Sequence, residues 1–408
     1  MRARPPVTDW TTDWDHLDPH WVEDPYPIWD ELRGKCPIAH TERFMGVYLP
    51  TRYQDVRDIA YDPEHFSSRR VVVRESLPPA NNGAPPITSD PPRHRLARMA
   101  LLPPFTPQAI DRLVPKTRAI CAELIDGFIA KGGCDAAADY TQHIPVKVIA
   151  HMLGIPADDG DRFRSWIKAV LQDGITDEVA MLRGFQEIKE YFRAHLIDRR
   201  ENPGDDLISY LSQQTYPDGR QFTDNHVLGS VQLLLVAGID TTWSGIGSCI
   251  WHLATHPEDR RRVVQDPSLL PTAVEELLRA YAPVTMAREV VKEKQINGCT
   301  FQPGQMVMLS FPAANRDPAM FPDADKVIID RKENRHAAFG LGIHRCIGSN
   351  LARMELTVAI EELLRRVPEF SLDGKVTWSE GTVRGPRKLP IKFGQLPTPR
   401  RATHRAAP

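Results

Sequence analysis

The chain has 408 residues, with 51 basic against 53 acidic side chains and a formal charge of −2. A composition of 41% apolar and 25% charged residues belongs to a globular protein long enough to bury a large core without disulfides or structural metals. Disordered, fibrous and membrane-embedded classes are excluded, and the near-zero balance gives no reason to expect nucleic acid or an anionic membrane as partner.

Cys36, Cys121, Cys134, Cys249, Cys299 and Cys346 are scattered with no CxxC pair, and residues 1–6 run straight into polar sequence instead of a signal peptide. The longest apolar stretch, 227–239, is interrupted by Gly229, Ser230 and Gln232 and falls short of the ~20 residues a bilayer needs. These features point to a reducing, cytoplasmic setting.

Along the chain, residues 1–35 form a Trp- and Pro-rich entry that ends in an amphipathic segment at 27–33. A strand-like patch at 46–50 precedes a helix from Tyr53. Residues 67–92 read as a loop carrying Pro78, Pro79, Pro85, Pro86, Pro91 and Pro92, and a loop of that length is expected to be functional. From 109 to 212 the pattern is helical, broken at Gly132-Gly133, Gly154-Ile155-Pro156 and Asn202-Pro203-Gly204. Thr223 or Asp224 then caps the longest periodic stretch. Its apolar stripe is Val227, Val231, Leu234, Leu235 and Gly238, and His256-Pro257 stops it. Such a helix is about 50 Å long and belongs at the centre of the molecule. A helix at 273–279 precedes strand-like pieces at 296–301 and 306–311. Residues 312–345 are largely irregular, and a last helix starts near Cys346. No repeat or linker divides the sequence, so one mainly α domain is expected over 1–395, with a disordered tail at 396–408.

The strongest chemical signal is Phe339-Gly-Leu-Gly342-Ile-His344-Arg-Cys346-Ile-Gly348, followed by an amphipathic helix through Leu351, Met354, Val358 and Ile360. A cysteine just before a helix start sits in the positive end of the helix dipole, which favours its thiolate. The flanking glycines let backbone approach a flat ligand and turn N–H groups toward the sulfur. This describes a single-thiolate metal ligand on a loop. An inert buried cysteine fits the same residues, whereas zinc lacks a second ligand pair at finger-like spacing.

This segment resembles the heme-binding loop of the cytochrome P450 family, Phe-x-x-Gly-x-His/Arg-x-Cys-x-Gly, at every position. The resemblance implies a mainly α (α+β) fold, a triangular helical prism with a small β-rich region enclosing heme b. Cys346 then becomes the axial thiolate, in a loop framed by Phe339 and Gly348. His344 binds a heme propionate, as do His94 and Arg98 of Asp90-Pro-Pro-Arg-His94-Arg-Leu-Ala-Arg98 and Arg288 of Pro283-Val-Thr-Met-Ala-Arg288. Glu276-Leu-Leu-Arg279, which by itself could be a solvated surface pair, becomes a structural ion pair joined by Arg331. Val327-Ile328 and Ala337 depart mildly from the Phe-Asp and Leu usual in bacterial relatives.

Ala237-Gly238-Ile-Asp240-Thr241-Thr242, midway along the long helix, resembles the family's oxygen-binding segment. Gly and β-branched residues there predict a local helix distortion. Ala237 and Gly238 leave room above the heme. By the same resemblance the Thr241 hydroxyl hydrogen-bonds the iron-bound peroxide, and Asp240 with water delivers protons.

The implied activity is that of a soluble monooxygenase, inserting one oxygen atom from O2 into a hydrophobic small molecule by hydroxylation or O-/N-dealkylation. Electrons come from NAD(P)H through a ferredoxin reductase and a ferredoxin, the latter drawn to Arg345, Arg353 and neighbouring cations of a monomer. A peroxide-driven peroxygenase and a non-enzymatic heme-binding protein are the alternatives. By alignment to the family the pocket is lined by Val72, Ile87, Ile167, Val170, Leu233, Val236, Ala237, Val284, Met286 and Val383, and also by Val71, Val73, Leu77, Trp166, Leu171, Ile175 and Thr382. One of Arg69, Arg70 and Arg74 could anchor an anionic substrate among these apolar groups.

Overall fold

A computed structural model describes residues 4–76 and 83–394 of the chain; Leu77 and the expected tail lie outside the described residues. The central helix, Asp224–Thr255, organises the molecule. The Thr223 side chain caps it by accepting from the His226 N–H, and Pro257 opens the next helix directly after it. Its 32 residues extend about 48 Å. By length and apolarity it could cross a bilayer, but 72% of its most apolar window is buried inside the protein, as a core helix requires.

Helices His143–Leu153, Glu178–Glu201, Leu207–Ser212, Leu270–Ala280 and Ser349–Arg366 pack against this axis, and Val114–Phe128 lies on Ser349–Arg366. Their apolar faces merge into one core that runs from Leu101 to Ile391. Burial of that size is the main stabilising term, at roughly 25 cal/mol per Å² of apolar surface.

The β structure sits to one side. A five-stranded sheet has the order Ile38–Thr41, Val47–Pro50, Met306–Leu309, Met286–Val290, Phe66–Ser67. Only the pairing of Val47–Pro50 with Met306–Leu309 is parallel. One face of this sheet packs on Trp14, Trp21 and Trp29 of the entry segment, the other on Phe301 and Phe311.

Three expectations about local structure change. The piece at 296–301 is not one strand but a hairpin, Lys294–Ile296 with Cys299–Phe301, reversing at Asn297-Gly298, both at positive φ. Asn-Gly between two such runs is the strongest short-range hairpin signal. The strand at Met306 ends at Leu309. Ser310 then caps a short helix, Phe311–Ala314, by accepting from Ala313. The central helix shows no break at 237–242. The Thr241 hydroxyl donates to the Ala237 carbonyl at 2.7 Å, and Ile239, Asp240 and Thr242, all buried, hold that turn from other faces.

Candidate active site

A cavity of about 970 Å³ opens onto the middle of the central helix. Gly229, Leu233, Val236, Ala237 and Thr241 face it, at spacings that keep them on one helix face. Ala237 is exposed although the residues around it in the helix are largely buried, so the cavity reaches the helix core. Val72 and Ile87 of the long loop, Val170, Val284, Met286 and Val383 complete the apolar lining, with Val71, Leu171 and Thr382.

Ile167 does not line the cavity. It is 1% exposed and belongs to the continuous core, as does Trp166, whose Nε1 donates to Glu187 at 2.8 Å. The helix Gly160–Leu171 lies against Glu178–Glu201, and only its last turn, Val170 and Leu171, reaches the cavity. Val73 and Ile175 are likewise buried outside the lining. The sequence reading missed the contribution of Glu178–Glu201, where Met181, Leu182 and Phe185 line the cavity. Their i, i+1, i+4 spacing on an amphipathic helix was the available signal.

Asp240 and Thr241 diverge. Thr241 lines the cavity. Asp240 is fully buried beside it and turns its Oδ1 to Arg387 Nη2 at 2.6 Å, while Oδ2 has no hydrogen-bond partner. Burial raises the Asp240 carboxyl above the ordinary aspartate range, and Arg387 opposes that shift. No sequence signal near Asp240 pointed to Arg387, 147 positions away.

The loop bearing Cys346 is closed by a hydrogen bond from its N–H to the Phe339 carbonyl at 2.7 Å. Gly342 adopts φ +68°, and a Cβ there would lie 2.2 Å from the Ala60 carbonyl oxygen, so the loop presses onto the helix Tyr53–Ala60 as only glycine allows. Cys346 is the one exposed cysteine of the six, yet it lies deep in the molecule, so its sulfur faces interior space. Burial raises its thiol pKa. The Gly348 backbone, Arg98, Arg353 and Arg345 act in the opposite sense, favouring the thiolate.

Four basic side chains gather beside this loop. The rings of His94 and His344 meet edge-on at 4.4 Å, and each Nε2 is buried without a partner. Arg288, 4% exposed, donates to the carbonyl of its own neighbour Ala287, and Arg98 donates to the Arg345 carbonyl at 2.6 Å. Among the described residues no carboxylate is hydrogen-bonded to any of the four. Desolvation, with Arg288, His94 and Arg98 close by, pushes His344 down to about 2, and desolvation takes Arg288 to about 10. Such a cluster is a receptor for anionic groups.

Behind the loop, Glu276 and Arg279 are both fully buried and paired twice at 2.8 Å, with Arg331 on the same carboxylate at 3.0 Å. Arg279 also donates to the Asn315, Ala324 and Lys326 carbonyls. The pair is therefore a buried clamp on the irregular segment before the cysteine loop, not a solvated surface pair.

The cytochrome P450 family model matches residues 160–376. The chain is 35% identical to the mycinamicin IV hydroxylase/epoxidase of Micromonospora griseorubida, over 88% of this chain and 94% of that one. The chain belongs to the cytochrome P450 family. The vitamin D(3) 25-hydroxylase of Pseudonocardia autotrophica is 34% identical over 91% of this chain and 94% of its own. The solved structure of the P450 CYP109Q5 from Chondromyces apiculatus matches with a TM-score of 0.85 at 34% identity, covering 94% of this chain and 99% of that one. The helical assembly with its small sheets is the P450 fold, and the protein is a P450 monooxygenase acting on small molecules.

P450 enzymes carry heme, and the residues here fit it. An interior-facing thiol before a helix start stands beside four bases with two orphaned imidazole nitrogens, as a porphyrin with one metal and two carboxylates demands.

Proposed function

We propose that this P450 oxidises a hydrophobic small molecule with O2, with Cys346 as the thiolate ligand of heme b and His94, Arg98, Arg288 and His344 on its propionates. The observation that carries the reading is the gathering of His94, Arg98, Arg288 and His344 beside the Cys346 loop. The helix Arg93–Leu101 that bears two of them also lends Arg93, Leu96 and Ala97 to the Thr241-lined cavity. A heme held through the Cys346 sulfur would supply the oxygen chemistry, with one atom of O2 entering the substrate and the other leaving as water at the expense of two electrons and two protons. The apolar cavity excludes water and orients the substrate over Ala237, whose small side chain leaves space. Gly238 instead turns toward Ile149, which a Cβ there would meet at 3.7 Å, and is not part of the lining. Thr241 Oγ1, at the cavity surface, holds a proton there. The free Oδ2 of Asp240, one residue away, relays protons to it while Arg387 fixes the carboxylate. Phe339 and Gly348 frame the sulfur.

Electrons come from NAD(P)H through a ferredoxin reductase and a ferredoxin, which docks on the monomer in the cytoplasm. Arg345, exposed next to Cys346, suits an acidic partner. Arg353 does not serve there, because Glu275 holds it at 2.6 and 2.9 Å and its guanidinium lies over the Phe339 ring.

The test is spectroscopic. The reduced protein with carbon monoxide should absorb at the thiolate-heme position. Cys346→Ala should lose that band, while alanine at each of the other five cysteines keeps it. A normal band in Cys346→Ala ends the assignment.

A further inference from the structure

Among the described residues, those that line the cavity include five cationic side chains, Arg69, Arg70, Arg74, Arg93 and Lys189, and no Asp or Glu. Arg69 and Arg70 are answered from outside the lining, where both pair with the buried carboxylate of Glu289. Arg74 differs. It is 8% exposed, and among the described residues no carboxylate pairs with it. Its hydrogen bonds run to two backbone carbonyls, Nη1 to Gly174 and Nη2 to Val170 at 3.3 Å. Gly174 packs closely on all sides here: a Cβ would stand 2.7 Å from Met181 Cβ, 2.8 Å from the Ala169 carbonyl oxygen and 3.1 Å from Arg74 Nη1.

Carbonyl acceptors need donors, not a full charge. A neutral amide would tie the loop to the helix end as well, without the cost of a buried cation. Loss of hydration takes Arg74 down to about 10 even though the Glu178 carboxylate, which accepts from Ser76 and is not ion-paired to Arg74, acts in the opposite sense. A guanidinium presents five donors in a planar fork suited to a carboxylate, and a charge-assisted pair of that kind is stronger than the carbonyl contacts. The one cation of the lining that combines burial with a lack of acid partner thus stands at the end of the cavity formed by residues 70–76 and the last turn of Gly160–Leu171.

We infer that the substrate is an amphiphile with a large apolar body and one carboxylate, and that Arg74 binds this carboxylate while the apolar body lies over Ala237 and Thr241. The inference rests on the monooxygenase reading and adds its substrate class. It also separates the three arginines of the loop, since Glu289 already holds the other two.

The test uses three matched acid and ester pairs: dodecanoic acid, 4-phenylbenzoic acid and abietic acid, each with its methyl ester. Heme-loaded protein is titrated with each compound by calorimetry and by the shift of the heme absorption band. At least one acid should bind the parent tenfold or more tightly than its ester. Arg74→Gln, which keeps an amide donor for the carbonyls, should weaken that acid at least tenfold and change the ester less than threefold. Arg74→Lys should recover part of the loss.

No acid binding better than its ester in the parent overturns the inference. So does Arg74→Gln weakening acid and ester alike, which would mark a purely structural role. The carbon monoxide band of each protein is recorded alongside. Its absence in the parent indicts the monooxygenase reading, whereas its presence with equal acid and ester affinities indicts only the anchor.

Discussion

Asp240 and Arg387 meet at 2.6 Å, one from the middle of the central helix and the other from the strand Pro386–Lys388. Arg387 also donates to Ser244 Oγ at 3.0 Å and lies over the Trp243 ring at 4.3 Å. Three residues of one helix thereby fix the guanidinium, and the guanidinium fixes the carboxylate next to Thr241.

The two partners are not equivalent. Asp240 is fully buried, whereas the Arg387 side chain keeps 16% of its exposure. Arg387→Met strands a buried carboxylate, which costs about 3–5 kcal/mol or forces the acid to take up a proton. Asp240→Asn leaves a cation that still reaches water and costs less. The double variant should recover much of the loss of Arg387→Met, a coupling that a double-mutant cycle in denaturant reads directly. Equal costs for both single variants would contradict this arrangement. Asp240→Asn should slow turnover at least tenfold with substrate affinity nearly unchanged, because Asp240 does not line the cavity.

Thr241 calls for a different readout. Its hydroxyl bonds back to the Ala237 carbonyl, so Thr241→Ala removes one neutral hydrogen bond, about 1 kcal/mol at most, and leaves the fold intact. Substrate should still bind and NAD(P)H should still be consumed through the redox partners. The fraction of electrons ending in product should fall several-fold, with hydrogen peroxide released instead. Unchanged coupling would move the proton-holding role to Thr242 or to water.

The Glu276 clamp is a stability device. One buried carboxylate accepts from Arg279, Arg331, Asn334 and the Ile328 N–H. Glu276→Gln leaves two guanidiniums without their counter-charge and should destabilise the fold by about 3–5 kcal/mol. The check is the guanidinium chloride midpoint of heme-loaded protein. An unchanged midpoint would show that the carbonyls around Arg279 suffice.

What the sequence disclosed follows from what is local. The bounds of the central helix were legible because Thr223 and His256-Pro257 are capping and stop signals within one turn of its ends. The Cys346 loop was legible because its ten residues carry their own geometry. Arg387, Glu289 and the lining residues Met181, Leu182 and Phe185 were not, since each acts through packing between elements far apart in sequence. Which loop arginine lacks an acid partner depends on Glu289, about 220 residues downstream of Arg69 and Arg70. No local pattern encodes that pairing.

The same limit explains Ile167 and yields a last expectation. Helical spacing puts Ile167 and Val170 near one face of Gly160–Leu171, so both looked like pocket residues. The helix Glu178–Glu201 covers the earlier turn and leaves only the last one open. Ile167→Ala should therefore leave a void in packed core, costing about 2–5 kcal/mol, and should barely alter the affinity for a bulky azole such as clotrimazole. Leu233→Ala removes a half-buried side chain from the cavity wall. It should cost well under half as much stability, because no sealed void forms, yet shift azole affinity at least fivefold. Denaturant midpoints and spectral titrations of the two variants test the contrast. A reversal, with Ile167→Ala altering binding and Leu233→Ala altering only stability, would place the cavity wall one helical turn earlier.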